Sequence, residues 1–214
     1  MTKKDLYKNV LAALEVAIPT AETELNYTTP FSLLVAVMLS AQCTDKRVNM
    51  VTPALLKAYP DAFAMAKASA DVLFPYVRSV SYPNSKASHL AAMARMVVEE
   101  FGGEVPETLE ELVRLPGVGR KTANVMQAVV WNRPAMPVDT HVFRVSHRIG
   151  LVAKRCTTPL SVERELVKYI PADDLPAVHH RLILHGRYTC TARNPHCEEC
   201  VLAEFCKENK ANPA

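Results

Sequence analysis

Helix-start signals recur along the whole chain, and nothing between them alternates as a strand does. Thr29-Pro30 and Thr158-Pro159 each set a capping hydroxyl before a proline that suits the first helical turn. Thr44 or Asp45, Asp61, Ser69, Thr108 and Asp139 stand in similar positions ahead of apolar residues spaced three and four apart. The helix opened at Pro30 is expected to run through Cys43, and Pro53 to interrupt or bend the next one. The longest stripe runs through Leu90, Met93, Val97 and Phe101 and stops at Gly102-Gly103. Further helices are predicted to follow Thr108, Arg120, Asp139, Thr158 and Pro176. No internal repeat of solenoid type is visible. The expected fold class is all-α.

Composition limits the function classes. A chain of 214 residues that is 49% hydrophobic can bury a real core. The net charge of +3, from 25 basic and 22 acidic residues, is too mild by itself to prove a polyanion partner. Its distribution says more. The stretch "EEFGGEVPETLEE", residues 99–111, is acidic with no base, while later segments carry Arg120, Lys121, Arg144, Arg148, Lys154, Arg155, Arg187 and Arg193. "FSLLVAVMLSAQ" is short for a membrane span and suits a buried helix. The N-terminal stretch has charges throughout, with Leu6, Val10, Leu14 and Ala17 on one side. It reads as an amphipathic helix and not as a secretion signal. The expectation is an intracellular protein, away from membranes, whose cysteines do not form structural disulfides.

The chain has only six glycines, yet Gly117 and Gly119 stand two apart in "LPGVGRKTANVM". Glycines joining two helices can take backbone angles closed to other residues and leave N–H groups bare. Such N–H groups, with the helix N-terminus behind them, suit an anion. With Arg120 and Lys121 following, phosphate binding is the better reading of this turn. Lys121, on the first turn of the second helix, serves either as a second phosphate contact or as a nucleophile. Attack requires the neutral amine, which the helix N-terminus, Arg120 and partial burial would favour. Asp139, in "MPVDTHVFRV", caps a helix. Held by backbone donors it stays ionised, and it could stabilise positive charge on a sugar ring.

The tail "CTARNPHCEECVLAEFC" sets Cys190, Cys197, Cys200 and Cys206 at C-x6-C-x2-C-x5-C. Four thiolates so close imply a metal or a cluster. Spacing alone leaves zinc and a four-iron cluster about even. Cys43 and Cys156 read as buried, inert thiols.

Together, "LPGVGRKTANV", "VDTHVFRV", "LILHGRYTC" and the cysteine spacing resemble the endonuclease III family of helix-hairpin-helix DNA glycosylases. The likeness runs from "ELNYTTPFSLLVAVMLSAQCTD" to Cys206. It implies a [4Fe-4S] cluster held by the four cysteines. It also implies a bifunctional glycosylase and abasic-site lyase that removes oxidised pyrimidines from double-stranded DNA as a monomer. The implied fold has two helical domains flanking a DNA cleft. One is a six-helix barrel at 22–133 that carries the hairpin. The other is a cluster domain made of 1–21 and 134–214. By the resemblance Lys121 is the Schiff-base lysine and Asp139 the catalytic carboxylate. Gln42 fills the gap left by a flipped base, and His141 lies near the strand backbone. Leu115, Gly117, Val118, Gly119 and Arg120 contact DNA in the hairpin, and Arg193 contacts it from the cysteine loop.

The chain departs from the family pattern at "SYPNSKA", where Tyr82 and Pro83 precede Asn84. Tyr82 stands where an apolar wedge would enter the duplex, and an aromatic can stack there. Two other functions remain. An adenine-mismatch glycosylase shares the hairpin and cluster but usually lacks the lysine at this position. A non-catalytic DNA-binding module would need the hairpin without Lys121 and Asp139 together.

Overall fold

The computed structural model describes residues 1–211. In chain order the helices are α1 (Lys3–Ala17), α2 (Pro30–Ser40), α3 (Asp45–Ala58), α4 (Ala62–Ala66), α5 (Ala70–Val77), α6 (Pro83–Phe101), α7 (Leu109–Leu112), α8 (Arg120–Val130), α9 (Thr140–Ile149), α10 (Pro159–Leu166), α11 (Leu175–Tyr188) and α12 (Lys207–Ala211). A single 3-10 turn, Ala172–Asp174, precedes α11. Among the described residues there is no strand. The protein is all-α. The chain divides into two compact units, Thr23–Trp131 and Met1–Glu22 with the chain from Asn132 onward.

The Thr23–Trp131 unit is organised by α2. A Thr29–Ser32 capping box and Pro30 start this helix, and every residue from Phe31 to Leu39 is buried. A helix apolar all round must be covered all round. Helices α3, α6 and α8 pack against it, and α4 and α5 pack against α6. Two local outcomes differ from expectation. Helix α2 ends at Ser40, not at Cys43, because Gln42 turns into the left-handed region at φ 53°. Helix α3 runs through Pro53 to Ala58, its halves held by Val48, Val51, Thr52 and Leu55 in the core.

The other unit is built on α9, which packs against α10, α11 and α12. Its apolar face is Val142, Val145 and Ile149, and it stops at Gly150, φ 96°. Helix α11 approaches α9 at Gly186, where an added Cβ would lie 2.9 Å from His141 Cβ and 3.0 Å from Val145 Cγ2. Helix α1 packs on α11, burying Tyr7, Val10 and Leu14. The Tyr7 hydroxyl donates to Leu151 O at 2.9 Å, and its ring stacks on Tyr169 at 4.7 Å. Between Tyr188 and Lys207 the chain forms only turns and bends.

Candidate functional site

The hairpin is held from inside and open outside. Leu115 and Val118 are buried in the apolar core of their unit, which stabilises the turn by about 1.5–3 kcal/mol for each side chain. Val118 N donates to Leu115 O at 3.0 Å and closes the turn. Both side chains are therefore unavailable to DNA, and what these positions can offer is backbone. Gly117, Gly119, Arg120 and Lys121 are exposed. No side chain caps α8, and its first helical bond is Ala123 N to Gly119 O, so Lys121 and Thr122 N–H precede the ladder.

The two glycines differ. Gly117 has φ +79°, and a Cβ there would sit 2.8 Å from His89 Cβ, so glycine is required twice over. Gly119 has φ −90° and ψ 172°, ordinary extended backbone, with open space where its Cβ would go. The expectation that both glycines take angles closed to other residues is corrected for Gly119. Lys121 is also corrected, because it is exposed and not partly buried. It lies one residue inside α8, on the turn whose inward positions are taken by Ala123 and Asn124.

Gln42, Tyr82, Lys86, His89 and Gly117 line one cavity of about 250 Å³ in the same unit. Tyr82 is the residue before α6, left-handed at φ 53° and 64% exposed. Beneath it Lys86 is buried, and its Nζ donates to Leu39 O and Ala41 O, both at 2.7 Å, and to Ser81 Oγ at 3.1 Å. Burial pulls the Lys86 pKa below the usual lysine range.

In the second unit Asp139 caps α9. Its Oδ1 accepts from His141 N and Val142 N, both at 2.8 Å, and its Oδ2 lies 3.1 Å from His141 Nδ1. Backbone donors and a helix N-terminus favour a charged carboxylate.

The four tail cysteines line one cavity of about 200 Å³ with Arg148, His185 and Leu202. Among the described residues no three His, Cys, Asp or Glu side chains converge on a point that suits one metal ion. Four thiols lining one cavity are a donor set that suits an iron-sulfur cluster. Arg148 Nη1 is 3.6 Å from Cys190 Sγ and donates to Thr191 O at 2.7 Å. His185 is buried with Nε2 3.7 Å from Cys200 Sγ, and burial pushes its pKa down to about 4. Burial, with the neighbouring thiols, pushes the Cys200 thiol up. Cys156 is buried, but Cys43 is only half-buried, contrary to expectation, because α2 ends before it.

Residues 35–172 match the HhH-GPD superfamily of base excision DNA repair proteins, and residues 190–206 match the iron-sulfur binding domain of endonuclease III. Endonuclease III of Synechocystis sp. is 45% identical over 99% of this chain and 96% of its own. That of Bacillus subtilis is 44% identical over 90% of this chain and 87% of its own. A solved structure of a trapped endonuclease III–DNA covalent intermediate superposes with a TM-score of 0.94, at 40% identity over 99% of each chain. The chain belongs to the endonuclease III family. It is a base-excision-repair DNA glycosylase with abasic-site lyase activity, it binds DNA, and its cofactor is a [4Fe-4S] cluster.

Within the endonuclease III frame, two basic residues change meaning. Arg144 and Arg148, which stand in the sequence only among the basic residues of the later segments, point at carbonyls. Arg144 Nη2 donates to Gly186 O at 2.7 Å and Cys190 O at 3.1 Å, and Arg148 Nη2 to Ala192 O at 3.2 Å. They fasten the cysteine loop to α9. Arg193 stays exposed in that loop. No helix among the described residues is long and apolar enough to cross a membrane.

Proposed function

We propose that the substrate is duplex DNA carrying an oxidised pyrimidine or an abasic site, that the protein works as a monomer, and that Lys121 and Asp139 carry the chemistry. Gly117, Gly119 and Arg120 grip the phosphates beside the lesion through backbone N–H groups and the Arg120 guanidinium, with Leu115 and Val118 as anchors. Arg193 adds a backbone contact, and His141 orients the Asp139 carboxylate. The damaged base leaves the stack, at a cost a lesion lowers. Gln42 and Tyr82 occupy the vacated space.

Lys121 Nζ, as the free amine, bonds to the anomeric carbon as the bond to the base breaks; the electron pair leaves with the base, which takes up the proton that the new C–N nitrogen gives up. Asp139 stabilises the positive charge that develops on the sugar. The ring opens to the Schiff base, which acidifies the adjacent sugar C–H. Loss of that proton expels the 3′ phosphate by β-elimination. Cys190, Cys197, Cys200 and Cys206 would hold the cluster, which would crosslink a segment with no helix of its own.

The observation that supports this reading most is an exposed amine on the first turn of α8, beside a hairpin whose inward side chains leave its backbone open. The test is Lys121→Gln. Base release and the borohydride-trapped complex should both vanish, while affinity for abasic-site DNA stays within about threefold. Full lyase activity in that variant would remove Lys121 from the mechanism.

A further inference from the structure

Lysines on a helix of a small protein ordinarily keep the ammonium in water. Lys86 is 7% exposed, and all three of its ammonium protons have acceptors. Two of these are Leu39 O and Ala41 O, carbonyls at the C-terminal end of α2, where a cation is favoured. The third is Ser81 Oγ, which itself lies 2.8 Å from Gln42 O and 3.1 Å from Ala41 O. One buried ammonium thus ties the end of α2 to the turn that opens α6. On either side of this knot stand Gln42 and Tyr82. Both are left-handed at φ 53°, a conformation a bulky side chain rarely adopts unaided. Both are exposed, and both line the cavity that Lys86 reaches.

We propose that Lys86 is a positioning residue for base release. It holds Gln42 and Tyr82 in their left-handed conformations before DNA arrives, so that they enter the duplex together as the lesion leaves. Ser81 is the relay between the two turns. The proposal rests on the assignment of Gln42 and Tyr82 to the vacated stack. It also accounts for Tyr82. An aromatic side chain at a left-handed position is tolerated because the carbonyls and hydroxyl beneath it are fixed by one charge. Lys86 touches no substrate and acts through these two residues alone.

The consequence is a split between two activities of one enzyme. Excising a base requires the stack to be opened and filled, whereas cleaving at a pre-formed abasic site has no base left to expel. The experiment compares Lys86→Met, Ser81→Ala, the double variant Gln42→Ala/Tyr82→Ala and the triple variant that adds Lys86→Met, all as cluster-loaded protein. Single-turnover release of an oxidised pyrimidine is measured beside cleavage of an abasic-site duplex. A 2-aminopurine opposite the lesion reports stacking.

Lys86→Met should slow base release about tenfold or more, as misplacement of positioning groups does. Abasic-site cleavage should stay within about twofold. Ser81→Ala should act in the same direction with smaller size, and it decides alone if Lys86→Met fails to fold. The triple variant should be no slower than the double, because the residues act as one unit. Equal loss of both activities would make Lys86 merely structural and overturn the proposal. Normal base release in Lys86→Met, with loss in the Gln42/Tyr82 double variant, would overturn it while sparing the roles of Gln42 and Tyr82. Normal base release in the double variant would overturn those roles, and the role of Lys86 with them.

Discussion

The two units hold their functional groups by opposite means. In Thr23–Trp131 the hairpin is carried by apolar anchors, Leu115 and Val118, set in a core that continues through α2, α6 and α8. Val118 N donates to Leu115 O, and Gly117 and Gly119 stay exposed. In the other unit, residues 189–206 have no helix, and of their side chains Leu202 is buried in the core while Cys190, Cys200 and Phe205 pack at its edge. Arg144 and Arg148 tie the start of this segment to α9. Where backbone carries a site, core packing suffices. Where thiolates carry it, the cofactor is part of the fold.

The largest effect should follow from breaking the second arrangement. In Cys197→Ser, hydrogen exchange should rise across 189–206 and the facing part of α9, while α2, α6 and α8 keep their protection. A loss on the scale of ~3–4 kcal/mol, about 10 °C in Tm, is expected for a segment without its crosslink. Uniform loss of protection in both units would erase the contrast. A zinc-loaded active protein would do the same for the cluster.

Asp139→Asn comes next in size. Asparagine caps a helix as well as aspartate, so Tm should move by less than about 2 °C. The charge beside the sugar is gone, and base release should slow about 10²-fold. Unchanged base release would leave Asp139 as a cap and nothing more.

The smallest effect is the most discriminating within the hairpin. Gly119→Ala meets open space and ordinary backbone angles, so the small loss of a glycine cap and the small gain in chain entropy nearly cancel in Tm. Affinity for both lesion and undamaged DNA should fall about fivefold, with a shallower dependence on salt. Gly117→Ala, strained at φ +79° and crowded by His89, should instead cost about 1–3 kcal/mol of stability. Equal behaviour of the two variants would contradict the division drawn between them.

Much of this was legible in the sequence because it was local. The caps Thr29, Thr108, Asp139 and Thr158 lie where their hydroxyls and carboxylate predict, since a cap is a matter of residues three apart. What was illegible depends on partners far along the chain. Lys86 in "NSKA" looks like surface charge until the carbonyls that end α2 arrive above it. The end of α2 at Ser40 comes from the left-handed turn at Gln42, which the side chains of "SAQC" do not signal. Arg144 and Arg148 showed only charge in the sequence, because the carbonyls of the cysteine loop lie far along the chain. The exposure of Lys121 and the ordinary angles of Gly119 are three-dimensional facts that "GVGRK" does not encode.

The central claim is that covalent chemistry belongs to Lys121, on the unit whose hairpin is carried by core packing. The direct measurement is to trap the complex of intact, cluster-loaded protein and abasic-site DNA with borohydride, digest it, and map the attached sugar by mass spectrometry. The account predicts one modified residue, Lys121, in the peptide that follows Arg120. Attachment to another lysine or to the N-terminal amine, with Lys121 recovered unmodified, would contradict it.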